Sequence, residues 1–194
     1  MFYERNNAMI EEKLCSIDEW ADLAENERCE LIAGKVIYKD IEGYTAEHGE
    51  FQSNLCAVLG EYNKNNIPVR WWIVLPVSVA YGNRHGFIHD LCGWRRDRHA
   101  SKPSGKYVMQ SPDWVCEILS SNKSIDIVDK KWIMHKHRVE YYWMVHLEEK
   151  IIQVFKWSES GYMNISDAQK GEKKILEPFE GLEIDLSFLF GDEE

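Results

Sequence analysis

The run Asp113-Trp114-Val115-Cys116-Glu117-Ile118-Leu119 constrains the fold of this chain more than any other segment. Period-two alternation puts Val115, Glu117 and Leu119 on one face of a strand and Trp114, Cys116 and Ile118 on the other. Apart from Glu117 both faces are apolar, so the segment reads as a central strand covered on both sides, which requires a layered sheet protein. An unpaired carboxylate at such a place costs several kcal/mol, so Glu117 is expected to be paired, metal-bound or shifted in pKa.

The remaining pattern supplies the layers. Ser16-Ile17-Asp18-Glu19 is a capping box opening a short helix over Ile17 to Ala24. Two β-rich runs meeting at Gly34 suggest a hairpin between Cys29 and Tyr38. Thr45 opens a second helix in which His48, Phe51, Leu55, Val58, Leu59 and Tyr62 recur at helical spacing. Val69 to Ala80 reads as one long strand and Gly86 to Leu91 as a shorter one, followed by a basic loop from Arg95 to Gly105. Ile125 to about His137 is expected to be helical, with Ile125, Val128 and Trp132 on its buried side. Tyr141 to Leu147 and Ile151 to Trp157 form two further strands, and Ile184 to Phe190 a strand or short helix. Nothing in the pattern marks a repeat or a linker, and 194 residues suit one domain, 1–194, able to bury a full core.

Asp90 repeats the signature of Glu117, ending the apolar run Phe87-Ile88 with an acid. Its bland reading is a strand-end aspartate capping a turn. Two acids at the ends of neighbouring strands can also hold a hard divalent cation, with the Ile118 carbonyl as a third oxygen. On the following helix Asp126, Lys130, Ile133 and His137 share one stripe. Asp126 and Lys130 form either an exposed i,i+4 pair or a lysine set beside a metal, orienting water and stabilising a phosphoryl transition state.

A net charge of −10 argues against non-specific coating of nucleic acid. Between Arg95 and Arg138, however, ten basic residues face five acids. This basic stretch is either a solvated surface or a track for a phosphate backbone. Among eight tryptophans, mostly in apolar runs, Trp94 stands beside Arg95 and Arg96, near Arg98, where it could stack on a base. Five scattered cysteines without a C-x-x-C pair fit reduced core thiols. The N-terminal residues lack the apolar core of a secretory signal, and the longest apolar stretch, broken at Pro76 and Ser78, is too short for a membrane helix. A cytoplasmic protein with no membrane partner is expected.

The ordered series Glu30-Leu31-Ile32-Ala33-Gly34-Lys35-Val36, Glu47-His48-Gly49, Asp90, Pro112 to Ser120, Asp126 to Lys130, Glu140 to Val145 and Gly181 to Leu186 resembles the Uma-type putative restriction endonuclease family of the PD-(D/E)XK nuclease superfamily. The resemblance spans roughly Ile17 to Phe190. It implies an α/β (α+β) fold with a restriction-endonuclease-like core, a central mixed β-sheet flanked by helices. It also implies a Mg²⁺- or Mn²⁺-dependent endodeoxyribonuclease with Asp90 and Glu117 as metal ligands. The lysine usually two residues after the glutamate is Leu119 here, and Lys130 takes its place from the next helix. Glu30 and His48 match two supporting polar positions. The chain departs from the family at His89, which replaces the proline before the aspartate, and at Met134, Arg138 and His146.

DNA is the implied substrate, and cutting two strands with one site per chain would call for a homodimer. Two rival readings stay open at this stage. One is a non-catalytic module on the same scaffold, binding nucleic acid or protein. The other is a zinc site drawn from His85, His89, His99, His135 and His137.

Overall fold

The structure is a computed structural model that describes residues 14–38, 45–65, 68–119 and 124–191, with the backbone alone for 124–128. Its elements run α1 (Ile17–Ala24), β1 (Cys29–Ile32), β2 (Lys35–Tyr38), α2 (Ala46–Lys64), β3 (Trp71–Val74), β4 (Val77–Ala80), β5 (Gly86–His89), β6 (Leu91–Arg95), β7 (Trp114–Leu119), α3 (Ser124–Lys136), β8 (Tyr141–His146), β9 (Ile151–Ser158), β10 (Gly161–Gln169), β11 (Lys173–Ile175), β12 (Glu183–Asp185) and α4 (Leu186–Leu189). Six strands form a central sheet in the order β10-β9-β8-β7-β6-β3, and four form a second sheet in the order β2-β1-β5-β4. The central sheet is mixed, because β7 and β8 run parallel while its other neighbours are antiparallel. The fold is thus the mixed α+β architecture with a helix-flanked central sheet that the sequence led us to expect.

Local chemistry sets the ends of these elements. Ser16 and Glu19 close the expected capping box at 2.8 and 3.2 Å. Ala33 and Gly34 link β1 to β2 with φ of 52° and 83°, the two positive values that a tight type I′ hairpin demands. Thr45 caps α2 through the His48 N–H at 3.3 Å. The helix buries His48, Phe51, Leu55, Leu59 and Tyr62, while Val58 packs half-buried beside them.

Val69 to Ala80 is two strands where the pattern suggested one. β3 lies in the central sheet and β4 in the second, and their partners β6 and β5 divide in the same way at Asp90. Val74 faces Cys92 and Val77 faces His89, so the register carries across the gap and sets Pro76 opposite Asp90. Proline has no N–H for a ladder. The Asp90 carbonyl accepts instead from Gln52 Nε2 of α2 at 2.9 Å. A single bent hairpin therefore serves both sheets and leaves Asp90 at the bend.

Three apolar clusters fill the layers. One packs α2 and α4 on the Trp114, Cys116 and Ile118 face of β7, a second fills the space on the Val115 face, and a third docks Trp20 of α1 on the second sheet. Trp20 lies so close that a β-carbon at Gly86 would stand 2.5 Å from its ring. Of the five cysteines all are free thiols, with Cys29, Cys92 and Cys116 buried. Among the described residues no helix is long and apolar enough to cross a membrane.

Candidate active site

The alternation along β7 puts Glu117 among apolar neighbours, and it is only 7% exposed there. Its Oε1 meets Nδ1 of His89 at 2.5 Å and Nζ of Lys130 at 3.3 Å. Lys130, 4% exposed, reaches in from α3 and pairs also with Glu30 of β1, itself buried in the second sheet. One lysine thus serves two buried carboxylates from different sheets. Such an ion is costly to desolvate, and it is tolerable here because its charge is matched at close range.

Asp90 stands beside this group. Its Oδ2 accepts the backbone N–H of Ile118 at 2.8 Å, and its Oδ1 lies 3.2 Å from Nε2 of His48. The bond to Ile118 brings the Asp90 carboxylate to within one residue of Glu117 along β7. The bend at Pro76 makes this contact available, since Asp90 belongs to neither ladder. Thr45 caps the helix, and the His48 imidazole, matched in sequence to a supporting polar position, turns inward to Asp90.

His89, which the sequence raised only as a departure from the family and as a zinc candidate, is a further participant. It is fully buried at the end of β5, and its Nε2 is 2.8 Å from the Tyr81 hydroxyl while Nδ1 faces Glu117. Burial pushes the Tyr81 phenol well above its ordinary range, so it remains a hydroxyl. The signal was present: His89 lies on the inward face with Val77, Val79 and Phe87, the same polar interruption of an apolar face that marked Glu117.

Other expectations change. Trp94 is fully buried, with its indole N–H donated to the Gln110 carbonyl at 3.0 Å, so it has no face to offer a base. Its neighbours at the far end of β6 are engaged within the fold. Arg95 bonds Asp97, Arg98 pairs with Asp113 and Glu140, and Arg96 lies over the Trp72 ring. Trp132 is 55% exposed, while α3 turns Lys130, Ile133 and Met134 inward. The helix is rotated from the expected face because Lys130 finds two acids inside. The side chains of Ile125, Asp126 and Val128 lie outside the described residues.

The histidines considered for zinc are scattered. His85 accepts from the Ala33 N–H, His99 pairs with Asp113, His135 stacks on Trp157, and His137 packs against Tyr81. Among the described residues, no group of three or more His, Cys, Asp or Glu side chains converges to hold a metal ion. A hard cation such as Mg²⁺ does not need one: it is commonly held by one or two carboxylates, with water in its other positions. The pair Asp90 and Glu117, each about a tenth exposed at the side chain, has the oxygen chemistry that such an ion takes.

The family model described as "Putative restriction endonuclease" (Uma2) matches residues 15–187. Among solved structures, the chain is similar to the crystal structure of a putative nuclease belonging to DUF820 from Anabaena variabilis. The TM-score is 0.69 at 21% identity, covering 90% of this chain and 97% of the other. At that identity the likeness speaks for the fold. No curated protein matches the chain.

Proposed function

The chain belongs to the Uma2 family of putative restriction endonucleases, and on that premise we propose that it is a Mg²⁺- or Mn²⁺-dependent endonuclease acting on DNA. The observation that carries this reading is the Asp90 carboxylate bonded to the Ile118 N–H beside Glu117. Asp90, Glu117 and the Ile118 carbonyl would hold the ion. The carbonyl is a fitting third donor because the N–H and C=O of one extended residue project to the same edge of a strand. A bound divalent ion supplies Lewis acidity at the scissile phosphate and lowers the pKa of an attacking water.

The side chains around it have distinct tasks. Lys130 orients the water and stabilises charge growing on the phosphoryl oxygens. Glu30 holds the lysine in place from the second sheet, and His48 steadies Asp90 through Oδ1. Arg95, Arg96 and Arg98 are the described cations of the basic stretch nearest β6, and a backbone-tracking role for them would require exchanging internal bonds for phosphates. Cleavage of both strands would take two copies of the chain.

A calorimetric titration with Mn²⁺ tests the site without a guess about the substrate sequence. Saturable binding to the wild type, lost in Asp90→Asn and in Glu117→Gln, is the expected result. It should be accompanied by Mn²⁺-dependent nicking of plasmid DNA. A folded wild type that takes up no Mn²⁺, alone or with DNA, would sink the enzyme reading and leave a non-catalytic scaffold.

A further inference from the structure

The position before Asp90 is a proline in the family that this chain resembles, and a proline has no side chain able to reach Glu117 with a hydrogen bond. Here it is His89, placed between two polar partners and closed off from water. A neutral imidazole carries one proton, and which nitrogen holds it follows from the neighbours. The Tyr81 hydroxyl faces Nε2 at 2.8 Å. Glu117 faces Nδ1 at 2.5 Å, and a carboxylate can only accept. With a neutral ring, both bonds are made when Tyr81 donates to Nε2 and Nδ1–H donates to Glu117. Tyr81 and Phe87 meet the imidazole edge-on at ring separations of 5.8 and 5.9 Å, which fixes its plane.

We propose that His89 is a positioning residue, locked by Tyr81, whose Nδ1–H sets the orientation in which Glu117 receives a divalent cation. This rests on the metal-site reading above and deepens it. The logic is that of the outer groups which orient ligating side chains in metal sites, whose loss commonly weakens metal binding 10- to 100-fold. His89 reaches Glu117 from the second sheet, so the orientation of a carboxylate on the central sheet is set across the interface between sheets. Lys130 bonds the same oxygen, and His89 therefore has a role separate from charge neutralisation: it contributes direction.

The test is Mn²⁺ calorimetry on the full chain, comparing wild type, Glu117→Gln, His89→Leu, His89→Asn and Tyr81→Phe. Asparagine can present an amide N–H near the position of Nδ1–H, and leucine cannot. His89→Leu should weaken Mn²⁺ binding at least tenfold, and His89→Asn should recover most of the loss. Tyr81→Phe, which keeps the imidazole and frees its tautomer, should weaken binding by a few-fold. It should also shift the imidazole ¹⁵N resonances of His89 in the metal-free protein, a signature that mere packing would leave in place. Tyr81→Phe keeps the proposal open to refutation if His89→Leu does not fold. Equal weakening in His89→Leu and His89→Asn, or wild-type affinity in both while Glu117→Gln loses binding, overturns the positioning role and leaves the metal site standing. Failure of the wild type itself to bind Mn²⁺ overturns both.

Discussion

The two ends of β7 each bury a carboxylate next to a histidine and a basic side chain, yet they are built differently. At the start, Asp113 accepts from the Arg95 N–H at 2.7 Å, from Arg98 at 2.7 Å, and lies 3.3 Å from His99. Arg98 is half-exposed and shares itself with Glu140 on the rim. At the far end, Glu117 relies on a lysine and a histidine that are themselves buried, and the lysine is divided with a second buried acid. Three carboxylates there, Glu30, Asp90 and Glu117, face Lys130 and two histidines. The first end spends backbone and solvent-screened charge on holding a loop. The second concentrates acid in a low-dielectric place, which folding alone would not favour.

Removing the cation should separate the two ends most sharply. Lys130→Met leaves Glu30 and Glu117 without their shared lysine and should lose about 3–5 kcal/mol in urea unfolding. Adding Glu30→Gln to it should restore part of that loss. A single variant as stable as wild type would erase the distinction. Arg98→Ala should cost only about 1 kcal/mol, and less at high salt, since its partner keeps the Arg95 N–H and the arginine is half in water. A loss as large as that of Lys130→Met would make the two ends equivalent.

The smallest effect is one of pH, and it must be removed before either cluster is read by titration. Burial holds His85 and His137 below the ordinary histidine value of 6.5. Each therefore binds its proton more readily unfolded than folded. Their contribution to stability is complete above pH 6.5 and is lost as the pH falls below it. The melting temperature should be level above neutrality and decline on acidification, and His137→Gln should flatten that decline. An unaltered slope in the variant would assign the decline to groups other than His137.

The apolar alternation along β7 and the helical spacing of α2 were legible because each follows from a period that the residues display themselves. So were Asp90, Glu117 and Lys130 as candidates, two of them as acids interrupting apolar faces. The bend at Pro76 was not, because β-branched residues on both sides continue the strand pattern and only pairing with Asp90 shows where the sheets part. The inward face of α3 was misjudged for a related reason. A lysine reads as a surface residue until two acids from distant strands, Glu30 and Glu117, are brought to it. His89 was read as a departure from a family pattern and as a zinc candidate, although its position on the Val77, Val79 and Phe87 face carried the same signal as Glu117.

The bend that frees Asp90 also bears on when the site comes into being. Glu30 and His89 arrive with one sheet, Glu117 with the other, and Lys130 with a helix that comes after all three in the chain, so the contacts are long-range. A growing polypeptide that ends short of Lys130 holds all three acids but lacks the cation that Glu30 and Glu117 share. The cluster is thus complete only when elements from both sheets and from α3 are in place.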